Sequence, residues 1–208
     1  MSFNAQIVGI SGGSGSGKTS VLNGLKEQLK GYSITFISMD DYYLPRDEQL
    51  IDVNGVKNFD LPSAINVDEL NKDLDNLLAG QKVVKTKYTF NNAEAETSTL
   101  TLNPSKIYIV EGLFIYHYPQ LKKRFNLKVY VDASVDQKII RRIKRDQIER
   151  NYPIEDVLYR YEHHVMPSYK NYIEAYKTEA DLIINNYKGY DIGLEVLVNH
   201  LIALATLE

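Results

Sequence analysis

A lysine that follows a run of glycines, with a hydroxyl beside it, is a combination suited to holding phosphate. Gly12, Gly13, Ser14, Gly15, Ser16, Gly17, Lys18 and Thr19 stand in that order and fit G-x-x-x-x-G-K-[ST]. Glycine takes up positive φ without steric cost, so the loop can turn its N–H groups inward toward phosphate oxygens, at the positive end of the helix that follows. Lys18 would reach the β- and γ-phosphates, the Thr19 hydroxyl would sit on a magnesium ion, and Ser20 ends the binding run. A Gly/Ser linker has a similar composition. A linker, however, is not flanked by Ile7, Val8 and Ile10 on one side and Val21, Leu22, Leu25 and Leu29 on the other. Strand before and helix after is the context the motif needs.

Phosphoryl chemistry also calls for acids that hold a metal or a hydroxyl, and for cations that spread charge. Asp40 and Asp41 directly follow the β-type run 34–38, and Glu111 ends the apolar run 107–111. In an open α/β sheet, ligands gather at the carboxyl ends of strands. Standing alone, Asp40-Asp41 reads as a cap or turn former before it reads as a site. Glu111, behind a strand of central type, reads as a second Mg²⁺ carboxylate in preference to a cap. Arg141, Arg142, Arg145 and Arg150, with Lys138 and Lys144, crowd one helical stretch. Arg142/Asp146 and Arg145/Glu149 are i,i+4 partners that would suit any solvated helix. The arginines outnumber those two acids, and such clusters hold phosphoryl charge, so both readings stand at this point.

The elements that must position these residues follow from periodicity. Helices are expected over 19–30, 66–78, 135–150 and 192–207, and strands over 34–38, 107–112, 127–132 and 181–185. Residues 83–90 and 97–102 predict a hairpin around a polar tip, and 44–63 a long loop. Residues 154–177 read as helical, with Met166-Pro167 bending or interrupting the helix and Tyr169, Tyr172, Ile173 and Tyr176 packing as one face. Asp52-Val53-Asn54-Gly55 matches the D-x-x-G of a nucleotide switch, but no apolar strand precedes it, and Asn71-Lys72-Asp73 misses N-K-x-D by one position. Both read as coincidences. His163 and His164 are adjacent rather than i,i+4, so they read as ordinary helix residues, as do His117 and His200. The alternation predicts an α/β fold: one three-layer domain over 1–208 with a mainly parallel sheet, the hairpin 83–102 and the helical lid 135–177 being additions to it.

Composition narrows the classes. A net charge of −3 gives no reason to expect nucleic acid or an anionic membrane as partner. With no cysteine there are no disulfides, zinc-thiolate sites or thiol nucleophiles. No apolar stretch approaches membrane-span length, and MSFNAQ lacks the features of a signal peptide, so a cytoplasmic protein is expected.

Taken together, GISGGSGSGKTS at 9–20, SMDDYY at 38–43, NFDLPSA at 58–64, YTF at 88–90, VEGLF at 110–114, VYVDAS at 129–134, IIRRIKRDQIER at 139–150 and YKTEADLIIN at 176–185 resemble the uridine kinase (uridine-cytidine kinase) family, related to phosphoribulokinase. The likeness covers nearly the whole chain in the family's order. It implies a phosphate-loop kinase that uses ATP or GTP with Mg²⁺ to phosphorylate the 5′-hydroxyl of a small-molecule nucleoside, uridine or cytidine first, and it implies a homo-oligomer. Asp40 then resembles the group that takes or orients the hydroxyl proton, and Thr19, Glu111 and Asp40 the Mg²⁺ environment. Asp60 resembles the acid that holds the ribose hydroxyls, with Tyr43, Phe59, Tyr88 and Phe90 shaping the pocket. Arg142 resembles a ribose- or phosphate-side arginine, and Arg145 and Arg150 the lid arginines that close on the triphosphate. The base-reading positions depart from the family at Ala93, Tyr152 and Arg160. They leave room for a kinase of another hydroxyl metabolite, such as a ribosyl-pyridine, a sugar phosphate or pantothenate. A nucleotide-switch NTPase is the more distant alternative.

Overall fold

Residues 6–11 alternate side chains that suit two different apolar layers, and the fold uses them so. The protein is described by a computed structural model over residues 5–88 and 98–206. In chain order its elements are β1 (Gln6–Ser11), α1 (Lys18–Gln28), β2 (Ile34–Ser38), α2 (Val67–Leu78), the hairpin strands β3 (Val83–Thr86) and β4 (Thr99–Leu102), β5 (Ile107–Glu111), a short α3 (Pro119–Lys122), β6 (Leu127–Asp132), α4 (Val135–Ile148), α5 (Ile154–Arg160), α6 (Met166–Tyr172), β7 (Leu182–Asn185) and α7 (Asp191–Thr206). The sheet has five strands in the order β2-β5-β1-β6-β7, and every pairing is parallel. β3 and β4 form the expected hairpin as a separate antiparallel pair.

Period-two alternation divides the strands between two cores. Ile7, Tyr108, Val110 and Tyr130 face one side, where Leu70, Leu74 and Leu77 of α2 cover them. Val8, Ile10, Ile109, Val129 and Val131 face the other, against Val21 and Leu25 of α1 and Leu194, Leu197 and Leu201 of α7. The i, i+4, i+7 spacing of the α2 leucines makes the stripe that one sheet face requires. Asn66 starts that helix as its cap, its Oδ1 accepting from the Glu69 N–H at 3.1 Å. Several tyrosines serve as core residues whose hydroxyls find backbone partners: Tyr108 donates to Leu77 O at 2.9 Å and Tyr116 to Gly9 O at 2.6 Å. No helix among the described residues is long and apolar enough to cross a membrane.

The expected helical stretch 154–177 is a chain of shorter pieces. α5 runs into a π-helical turn, Tyr161–Val165, then α6, then a 3₁₀ turn, Glu174–Lys177. Val165 and Met166 keep right-handed helical backbone, so Pro167 does not break the helix. A wider π turn stands just ahead, and its i→i+5 bonding accommodates the carbonyl left without a donor by proline, in place of the expected bend. The tyrosine face packs as expected: Tyr172 meets Phe114 edge-on at 6.4 Å, Tyr176 meets Tyr116 at 6.4 Å, and Ile173 is buried.

Candidate active site

Strand register brings the chemistry-bearing residues to one edge of the sheet. Glu111, the last residue of β5, is level with Ile10 of β1 and Ser38 of β2. The loop after β1, the 3₁₀ turn Met39–Tyr42 after β2 and the carboxylate ending β5 therefore meet at the carboxyl ends of the strands, where the chain crosses from one side of β1 to the other.

The loop wraps tightly. Gly12 and Gly15 hold φ of +152° and +78°, and a Cβ on them would collide with the backbone oxygens of Val131 and Lys138 respectively. Only glycine fits there without strain. Lys18 donates from Nζ to Gly12 O at 2.8 Å and Gly13 O at 3.2 Å. Asn186 Nδ2 and Arg141 brace the loop from behind through Ser16 O, at 2.9 Å and 3.4 Å. The Ser16 hydroxyl is buried and has no partner among the described residues.

Opposite Lys18 stand the two acids. Ser38 Oγ donates to Glu111 Oε1 at 2.6 Å. Burial first, and then the neighbouring charge of Asp40, push the Glu111 carboxyl up to about 7, against the opposing pull of Lys18 and Ser38. Burial also raises Asp40, although Lys18, Arg150 and Arg145 draw it back. Burial lowers Lys18, which the two acids oppose. A pair of carboxylates that repel each other in a dry site is what a divalent cation relieves. Among the described residues no cluster of three or more acid or histidine side chains forms a metal cage. That donor set fits Mg²⁺, which keeps waters and takes phosphate oxygens, with Asp40, Glu111 and the exposed Thr19 as the residues that would hold it.

The raised Glu111 has a measurable consequence. In metal-free protein between pH 4.5 and about 7, the folded state keeps a proton on Glu111 that the unfolded chain has released. The folded state then binds more protons, so stability falls as pH rises through that window, by on the order of 3 kcal/mol. Glu111→Gln should flatten that slope. Urea denaturation of both proteins in EDTA at about pH 5 and about pH 8 reads it directly.

The arginines gather on one buried acid. Asp146, with its side chain 4% exposed, lies 3.1 Å from Arg142 Nε, 2.9 Å from Arg145 Nε and 3.4 Å from Arg150. The expected Arg142/Asp146 pair forms. Arg145 turns to Asp146 instead of Glu149, because the buried carboxylate offers a drier and stronger partner than an exposed one. Three guanidiniums on one carboxylate leave positive charge over the loop. Arg142 reaches further, donating to Ser14 Oγ at 2.9 Å and spanning both oxygens of Asp60 at 3.4 Å and 3.5 Å. It thereby ties the phosphate loop to the acceptor-side acid.

Around Asp60 the walls are aromatic. Tyr43 stacks near Phe59 at 6.1 Å and Tyr88 at 5.4 Å, and Arg46 lies over Phe59 at 5.8 Å. Arg160 lies over Tyr152 at 5.3 Å. One cavity of about 1210 Å³ is lined by Lys18, Thr19 and Ser20, by Asp40 and Glu111, by Tyr43, Phe59, Asp60 and Tyr88, and by Arg142, Arg145 and Arg150. Ser14, Gly15 and Gly17 line it as well, while Gly12, Gly13 and Ser16 shape the loop from behind. Phe90 and Ala93 lie outside the described residues.

Asp146 and Ser38 in the site, and His164 and Asp52 outside its lining, carry more than their local sequence announces. Asp146 was visible only as one half of an i,i+4 pair, and its part as the hub of three arginines needs burial to appear. Ser38 matters because β2 and β5 are in register. His164 is not an ordinary helix residue: it is buried and sits 2.7 Å from Asp52. The match of Asp52 to a switch motif stays a coincidence, but Asp52 is the tip of a loop held by that histidine. His117 lies in a turn rather than a helix, with its ring edge-on to Tyr172 at 5.1 Å.

Comparison with known proteins identifies the family and the fold. The model of the phosphoribulokinase / uridine kinase family matches residues 7–193. A uridine kinase of Macrococcus caseolyticus is 34% identical over 198 residues, covering 95% of this chain and 96% of that protein. A uridine kinase of Lactiplantibacillus plantarum is 34% identical over 191 residues, 92% of this chain and 91% of that one. Uridine kinase-like protein 5 of Arabidopsis thaliana is 31% identical over 94% of this chain, which spans 42% of the plant protein's length. Among solved structures, phosphoribulokinase from Rhodobacter spheroides superposes with a TM-score of 0.62 at 16% identity, over 88% of this chain and 71% of that one. D-glycerate 3-kinase from Cryptococcus neoformans gives 0.59 at 15%, over 81% and 79%. At such identities the structural likeness is one of fold.

Proposed function

The chain belongs to the phosphoribulokinase / uridine kinase family, and from that premise we propose that it transfers the γ-phosphoryl group of ATP to the 5′-hydroxyl of a nucleoside, uridine or cytidine first. The observation that carries this reading is the single cavity in which Lys18 and the loop face Asp40 and Glu111 at one end, and the Asp60–Arg142 pair with its aromatic walls lies at the other.

Each residue has a part that its surroundings suit. Asp40, raised by burial, is basic enough to take or orient the acceptor's proton. Asp60, its carboxylate steadied by Arg142, accepts hydrogen bonds from the ribose hydroxyls beside Phe59 and Tyr43. Lys18 exchanges the loop carbonyls for phosphate oxygens. Arg145 and Arg150 neutralise charge that spreads over the transferring group in a loose transition state. When bound, Mg²⁺ supplies further neutralisation of the phosphate oxygens. Arg145 is partly exposed, its side chain 31% accessible, and free to follow that charge. Arg145→Ala is therefore expected to lower kcat by about a hundredfold with little change in KM for ATP. Steady-state kinetics with ATP varied at saturating acceptor checks it, and an effect confined to KM would remove the transition-state role.

One observation favours a second acceptor class in the same family. Arg46 over Phe59 and Arg160 over Tyr152 make the far end of the cavity cationic, which suits an acceptor bearing an anion, such as a sugar phosphate or pantothenate. ADP release from MgATP across uridine, cytidine, purine nucleosides, nicotinamide riboside, ribulose 5-phosphate and pantothenate tests both. Turnover stimulated by uridine or cytidine is the expected result, and stimulation by none of the nucleosides would sink the first reading.

A further inference from the structure

Between the acceptor loop and the lid lies a side-chain cluster that phosphoryl transfer itself does not use. Residues 50–58 fold back on themselves: Asn58 donates from N to Leu50 O at 2.8 Å, Asp52 from N to Val56 O at 3.0 Å, and Ile51 bridges Lys57. Phe59 and Asp60 follow at once, so this small hairpin is the support of the acceptor wall. At its tip the two oxygens of Asp52 have separate duties. Oδ1 accepts from the N–H groups of Asn54 and Val56, both at 2.9 Å, and closes the turn. Oδ2 accepts from Tyr159 Oη at 2.7 Å and lies 2.7 Å from His164 Nε2. Asn54 Nδ2 donates to Tyr159 Oη at 2.7 Å, and Arg160 donates to Lys57 O at 2.9 Å. The hairpin is thus tied to α5 and the π turn beyond it at four points.

Desolvation pushes Asp52 up, but the N–H groups and hydroxyl around it, with His164, outweigh that and hold the carboxyl well below the usual range. It is an ionised acceptor, and His164 Nε2 is its donor. A mere packing residue would be apolar here. His164 is 2% exposed, and its Nδ1 is buried with no partner among the described residues. A buried orphan nitrogen costs stability that a phenyl ring would avoid, so what favours histidine at this position is the bond to Asp52. The π turn supplies the geometry, since its wider ring sets His164 inward beside Val165, which is also buried.

We propose that Asp52 and His164 form a positioning latch that fixes the acceptor wall, Phe59 and Asp60, to the lid that carries Arg150 and Arg160. Neither residue touches the reacting atoms; both act through Asp60. The consequence is asymmetric. Acceptor binding needs the wall in place, whereas ground-state nucleotide binding rests on the loop after β1 and does not. The kinetic part of this inference rests on the reading that the Asp60 end of the cavity holds the acceptor.

Three variants test it, with uridine as acceptor probe and hydrogen exchange of amides 52–60 as a readout that needs no turnover. His164→Phe keeps the ring and loses the donor. It should raise KM for uridine about tenfold, leave KM for ATP unchanged, and speed exchange over 52–60 by about tenfold. His164→Gln, which carries an N–H donor at similar reach, should restore both. Tyr159→Phe, which keeps the half-buried ring and removes only the hydroxyl, should shift both in the same direction as His164→Phe. Unchanged exchange in His164→Phe and Tyr159→Phe overturns the latch, as does His164→Gln behaving like phenylalanine, or KM for ATP and uridine rising equally. If the wild-type protein does not turn over uridine, the nucleoside reading falls, and the exchange comparison still decides the latch.

Discussion

Asp40→Asn is expected to lower kcat by about a thousandfold while nucleotide affinity stays close to that of the parent protein. That factor corresponds to about 4 kcal/mol of transition-state stabilisation. Asparagine keeps the size of the side chain and a carbonyl oxygen to orient a hydroxyl, but it cannot receive the proton. In the proposed reaction ATP would be held by the loop N–H groups and Lys18, which donates to loop carbonyls rather than to Asp40. Steady-state turnover alongside calorimetric titration with nucleotide separates the two effects, and near-normal turnover would remove Asp40 from the mechanism. The variant makes a second prediction. Asp40 is the charge that, after burial, raises Glu111, so in Asp40→Asn the Glu111 carboxyl should titrate lower and the fall in stability toward neutral pH should shrink.

Asp146→Ala is expected to be the most destabilising single change in the lid. Three guanidiniums lie within 3.4 Å of this carboxylate, and Arg142 among them is buried. Removing one partner of a buried ionic group leaves uncompensated charge and costs roughly 3–5 kcal/mol. For a chain of this size that is a drop in Tm of roughly 10 °C. The arginines would also lose their common anchor, so kcat should fall with the stability. A triphosphate supplies the negative charge that the variant lacks. Saturating nucleotide should therefore raise Tm by more in Asp146→Ala than in the parent protein. Thermal melts with and without nucleotide check both points, and an equal shift in the two proteins would mean that the arginines do not face the phosphates.

The two acids illustrate how legible the protein was. The place of Asp40 was legible because it stands just past the run 34–38, and a residue just past a strand lies at the carboxyl edge of a parallel sheet; by itself the pair Asp40-Asp41 reads as a cap, and only the family resemblance gave it a role. Asp146 was half-found. Its spacing from Arg142 is a local property of a helix, but its capture of Arg145 and Arg150 depends on the burial of its own side chain, which no i,i+4 rule encodes. His164 was misread for the same reason. Its partner stands 112 residues earlier in the chain, and neither residue has a local pattern that points to the other. The break or bend expected at Met166-Pro167 does not occur, since Val165 and Met166 stay helical and the chain has a π turn just ahead of the proline.

What the chain determined by itself is whatever short-range chemistry can specify. The phosphate loop is one such feature, since Gly12 and Gly15 must take positive φ and Lys18 must follow a strand-to-helix turn. The strands, with their period of two, and the helix stripes of α1 and α2 are others. So was the acid at each strand end. Tertiary structure decided which of these meet. Parallel register set Glu111 level with Ser38 and put it beside Asp40, and burial then raised both carboxyls. Folding also chose among the arginines, giving three of them one buried acid and giving Arg142 a second partner in Asp60. It joined Asp52 to His164 in the π turn Tyr161–Val165. The physical reason is common to all of these: local propensity acts over a few residues, whereas burial, register and the strength of a charge pair are properties of the space around a side chain, and that space exists only after the chain has folded.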